Sequence, residues 1–92
     1  MATLHFNTDA GRATSSQINN SCNMLIDQLN TLNSRINAMV GADWMGNSAN
    51  QFQGEFQNWA SQMQQCISAL ETLRTRLDNE INEWEVAAGT LG

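Results

Sequence analysis

Ala42-Asp43-Trp44-Met45-Gly46-Asn47-Ser48 lies almost at the centre of a 92-residue chain, and on both sides of it the sequence reads as long amphipathic helix. Gly41 and Gly46 bracket it. A glycine just past a helix end is the usual left-handed stop, because it has no Cβ to clash in that conformation. On the far side, Ser48 with Gln51 three residues on fits a capping box, and Asn47 is a competing cap one residue earlier. The stretch therefore predicts helix, tight turn, helix, with a tryptophan in the turn. Two readings of Trp44 stay open. Its indole plugs the end of the hairpin, or it plugs the end and also marks a surface for a partner.

Working upstream, Ile18, Cys22, Leu25, Leu29, Leu32, Ile36 and Met39 recur in alternating steps of four and three, an unbroken heptad seam. Extended backwards, the seam falls on Ser15, Gly11 and Thr8 and so fades into small residues. Downstream, Ala49, Phe52, Phe56, Trp59, Met63, Cys66, Leu70, Leu73, Leu77, Glu80 and Trp84 repeat the pattern, with Ile81 beside the one polar break at Glu80. This second seam is longer and more aromatic near the turn, where Trp44, Phe52, Phe56 and Trp59 are placed to cluster. The expected organisation is a single domain over 1–92: a first helix at about 9–40, the turn at 41–47, and a second helix at about 48–86. Asn7 or Thr8 caps the first helix and Asp9 suits its first turn. Ahead of it, Leu4 and Phe6 alternate with polar neighbours as an extended arm, and His5 between them reads as an ordinary surface residue. Arg76 stands at helical spacing from Glu80 and Glu83. Acid at the end of the second helix opposes its macrodipole, so 87–92 is expected to be a loose tail.

A lone hairpin of this size leaves much of its apolar stripe wet, and pairing with a second hairpin is the natural remedy. The fold expected is therefore all-α, an antiparallel helix-turn-helix hairpin that dimerises into a four-helix bundle. Composition narrows the function. There is no Lys, and nine carboxylates against four arginines give a net charge of −5. That argues against nucleic acid, which needs a basic footprint, and against electrostatic attraction to anionic membranes. The polar surface is built from amides instead, with twelve Asn and eight Gln. Residues 1–9 carry neither a cationic nor an apolar segment, so no secretory signal peptide is expected there. The chain has no Gly-rich phosphate loop, no metal-ligand spacing and no nucleophile–base–acid set, and heptads filled with side chains leave no room for a pocket. Neither an enzyme nor a cofactor is expected.

The two cysteines, Cys22 and Cys66, lie equally far from Trp44 on opposite sides, and both fall on the seams. In an antiparallel hairpin that places them at equal height, where a disulfide has the Cα separation it needs. The alternative is two buried free thiols acting as small apolar residues.

At this point the residues resemble the WXG100 family, small helical-hairpin proteins exported by type VII secretion systems. The resemblance rests on Trp44-Met45-Gly46 followed by Ala49 and Phe52. Gln53-Gly54, and Trp59 fifteen residues after Trp44, are similar to its early secreted antigenic target branch. It covers essentially the whole chain. What it implies is export as a folded dimer, a homodimer or a heterodimer with a WXG100 paralogue, handled by a type VII secretion ATPase. The implied location is extracellular, without a cleaved signal peptide, after synthesis in the bacterial cytoplasm. The implied work is that of a secreted virulence or signalling factor or of a secretion partner, with Trp44 and Gly46 as the turn and export motif. A membrane-perturbing effector and a non-exported coiled-coil adaptor or chaperone are the alternatives. One departure stands out. Many members carry a tail signal of Tyr, three residues, then Asp or Glu, and this chain has no Tyr. Trp84 stands near that place, but the fourth residue on is Ala88.

Overall fold

The computed structural model describes residues 5–91, and side chains over 5–89. Leu4 of the expected arm and Gly92 of the expected tail lie outside that range. Two helices account for nearly all of it: α1, Thr8–Met39, and α2, Asn47–Leu91. They run antiparallel as a hairpin 68 Å long and about 20 Å across, with extents of 68 × 22 × 18 Å. At 1.5 Å per residue the 45 residues of α2 span about 67 Å, so α2 sets the length of the molecule and α1, with 32 residues, covers only part of it.

The start of α1 follows the expected chemistry. The Asn7 side chain accepts from the Ala10 N–H at 3.1 Å, and Asp9 sits in the first turn. The stop also follows. Gly41 takes φ +95° and Gly46 φ +115°, values that a Cβ strongly disfavours. Between them the Met39 carbonyl accepts from the N–H groups of Asp43 (2.9 Å) and Trp44 (3.0 Å), and the Gly41 N–H donates to the Trp44 carbonyl at 2.8 Å. The Met39 carbonyl is thus satisfied inside the turn, and the Ile36 carbonyl accepts from the Val40 N–H at 2.9 Å. The second helix begins at Asn47, two residues before a helix capped by Ser48 would start. Its first turn closes on the Gly46 carbonyl, which accepts from the Asn50 N–H at 3.1 Å, and Ser48 lies within that turn.

The core between the helices is narrow. Cys22 and Leu29 from α1 meet Ala49, Phe56, Ile67 and Ile81 from α2, all buried. The register is set by contacts at every level. Toward the tip Gln53 donates to Asn37 at 2.8 Å and Gln57 to Asn33 at 3.4 Å. At mid-height the Cys22 Sγ lies 4.0 Å from the Ile67 carbonyl oxygen. At the open end the Ser15 hydroxyl donates to the Asp78 carboxylate, and Arg12 pairs with Glu85.

Two expectations are corrected here. Residues 87–91 are helical and continue α2 where a loose tail is expected. Ala87 and Ala88 are strong helix formers, and the segment meets no proline to stop it. The ion pairs also fall elsewhere. Among the described residues Arg74 pairs with Asp78 at 4.0 Å and Arg12 with Glu85, whereas the spacing favours Arg76 with Glu80 or Glu83.

Candidate interaction surface and turn motif

Every seventh residue of α2 from Ala49, namely Phe56, Met63, Leu70, Leu77 and Trp84, is buried or half-buried against α1. A heptad seam needs a second line beside this one, and two are geometrically available. The line three residues on holds Phe52, Trp59, Cys66 and Leu73, and its apolarity makes it the expected choice. The hairpin uses the other, four residues on: Gln53, Ala60, Ile67, Arg74 and Ile81, all buried or half-buried. Phe52, Trp59 and Leu73 are left 38%, 45% and 55% exposed. On α1 the same drift turns Leu32 out to 42% exposure and brings Asn33 to the seam. Of the other expected seam residues, Leu29 is buried, and Ile18, Leu25, Ile36 and Met39 are half-buried. Ala60 and Ile67 are inward residues that the apolar pattern passes over. The signal available for them was the β-branched Ile67 in line with Ile81 and the small Ala60, which permits close helix approach.

The cysteine arrangement follows from this choice of line. Cys22 is buried, Cys66 is exposed, and both are free. The possible disulfide between them is therefore not formed. It is Ile67, one residue further along and on the inward line, that lies opposite Cys22. A shift of one residue turns a helical side chain by about 100°. Cys66 therefore stands out on the flank with Trp59 and Leu73.

That flank is continuous with α1. A groove of about 250 Å³ runs between the helices, lined by Leu25, Leu29 and Leu32 on one side and Trp59, Met63 and Ile67 on the other. Gln28 is the one polar residue that lines it. The opposite groove is more polar, with Asn30, Gln64, Ser68 and Glu71 around Ile26 and Ile67. The hairpin thus has one apolar face and one amide-rich face.

At the tip, the expected single aromatic cluster divides into two pairs. The Trp44 ring lies 5.4 Å from that of Phe52 at 48°, and the Phe56 ring 5.7 Å from that of Trp59 at 36°. Trp44 is half-buried, and it covers the end of the hairpin without disappearing into it. Met45 beside it is 75% exposed. Gly46 then turns the chain into α2. Trp44 and Gly46 therefore stand in one turn, a half-buried aromatic two residues from a left-handed glycine.

Among the described residues no group of His, Cys, Asp and Glu is placed to hold a metal ion. No helix over those residues is long and apolar enough to cross a membrane. A family model, WXG100, described as proteins of 100 residues with WXG, matches residues 4–85. Neither the curated proteins nor the solved structures contain a match to the chain.

Proposed function

The chain belongs to the WXG100 family, and from that premise we propose that it is a small type VII secretion substrate that acts by pairing its apolar face with a second helical hairpin. One observation carries the reading. Phe52, Trp59 and Leu73 on α2, with Leu32 across the groove on α1, are exposed at heptad-type spacing on two adjacent helices. Apolar residues so arranged are covered by two further helices, which is the geometry of a four-helix bundle. Trp44 and Gly46 are the residues we assign to export, because an accessible indole beside a turn glycine offers a rigid feature that a secretion machine can grip. The chain acts as effector or as escort, and its partner is a second copy or a WXG100 paralogue.

Native mass spectrometry of the unreduced chain separates the partners. A mass near twice 10.2 kDa identifies self-pairing, and a monomer identifies a paralogue as the missing half. The face itself is tested by replacing Trp59 and Leu73 together with Gln. The complex, with itself or with the paralogue, is expected to be lost while the helical circular dichroism of the hairpin is retained. A complex that survives the double replacement places the interface elsewhere. Export is tested by Trp44→Ala in a strain with an active type VII system. The protein is expected to stay in the cell pellet with its helicity intact, and normal appearance in the medium removes the turn from the export signal.

A further inference from the structure

The far end of α2 stays helical through residue 91 although its last turns run past the start of α1. No basic residue stands in the last turn of α2 to offset the negative pole of the helix dipole. Gly89 and Thr90 are weak helix formers. α1 begins at Thr8, opposite this end, so little of it is left to pack against the last turns. Such an end frays unless something outside the helix holds it.

Phe6 is placed to do so. It precedes α1, and its ring meets Trp84 edge-on, with centroids 6.0 Å apart and planes at 74°. The same ring fills a notch that only glycine leaves open. A Cβ on Gly11 would stand 2.8 and 2.9 Å from Phe6 Cε1 and Cζ, and 3.1 Å from Ile81 Cδ1. Asn7 anchors the segment by capping α1 through the Ala10 N–H. One helical turn further on, Arg12 pairs with Glu85, next to Trp84. The segment 5–7 therefore leaves the start of α1 and lies across onto α2. Leu77 lines the groove beside it with Phe6, Gly11 and Thr14.

We infer that this segment is a strap with Phe6 as its fastening, and that its closure gives the end of α2 two states. With Phe6 seated over Gly11 and Trp84, α2 is helical through residue 91. With Phe6 released, α2 frays back toward Trp84, while the helix pair from Ile81 to the tip stays intact. An aromatic edge-to-face contact shifts an equilibrium by a factor of about 2–10, so the strap opens readily. A partner that covers Trp84, or one that draws off the segment ahead of α1, then decides whether the last turns are ordered. The strap lies within one chain, and its test does not depend on what the apolar face binds.

The experiment is hydrogen exchange with mass spectrometry on the full chain and on Phe6→Ala and Gly11→Ala, at one protein concentration. Phe6→Ala is expected to speed amide exchange over residues 84–91 by about 2–10-fold and to leave residues 50–75 unchanged. Gly11→Ala introduces a better helix former into α1, yet it is expected to speed exchange over the same 84–91 segment, because its Cβ evicts the Phe6 ring. Combining the two changes is expected to add nothing beyond Phe6→Ala alone. Unchanged exchange at 84–91 in both single variants overturns the strap. So does faster exchange spread evenly over both helices, which makes Phe6 an ordinary core residue.

Discussion

The two ends of this hairpin are closed by different means. At the tip, residues 40–46 join the helices covalently, and the turn is built almost entirely from backbone: two left-handed glycines and carbonyls of α1 satisfied within the loop. The side chains there add to a closure the backbone already makes: Trp44 covers the end against Phe52, while Met45 stands 75% exposed. At the open end no chain connection holds the helices together. Yet Gly11, Ser15 and Ile81 are buried there, and Ser15–Asp78, Arg12–Glu85 and Phe6–Trp84 reach across. A covalent link supplies proximity without side chains, because the two strands stay at high effective concentration whatever their packing. Far from the link, proximity must come from contacts. The lesson is that the end free to present residues to a partner is the one that the backbone already closes.

The comparison breaks most readily at Ile81. Truncating this fully enclosed side chain to Ala is expected to destabilise the hairpin by about 2–5 kcal/mol, read as a lower midpoint in urea unfolding followed by circular dichroism. A loss under about 1 kcal/mol would mean that the open end contributes little packing. The backbone of the tip comes next. Gly46→Ala places a Cβ at φ +115° and is expected to cost about 1–3 kcal/mol, measured the same way. An unchanged midpoint would show that the turn relaxes freely. The smallest effect is expected from Met45→Ala, within about 0.5 kcal/mol of the parent, because the side chain is 75% exposed. If Met45→Ala matched Ile81→Ala, the contrast between the two ends would fail.

Much of the fold was legible because its determinants are local. Asn7 caps α1 through an oxygen three residues from its donor, Gly41 stops that helix, and Gly46 turns the chain into the next one. Each of these acts through its immediate neighbours. The turn residues of the candidate site were legible for the same reason, since Trp44 and Gly46 belong to a single loop. The flank of α2 was not. Phe52, Trp59, Cys66 and Leu73 form as good a heptad line as Gln53, Ala60, Ile67, Arg74 and Ile81, and on apolarity they form a better one. Periodicity says that a line is covered, but not by which helix. The more apolar line reads as the inner one, yet the hairpin leaves Trp59 and Leu73 on it exposed.

The sequence by itself therefore determined two helices, their hinge at 41–46, and the fact that each carries an apolar stripe, because propensity, capping and period are properties of neighbouring residues. Tertiary structure alone decided which flank of α2 faces α1, and that Cys22 meets Ile67 while Cys66 stands outside. The physical reason is common to both. One residue along a helix rotates a side chain by about 100°, and only the partner helix fixes which way that rotation falls.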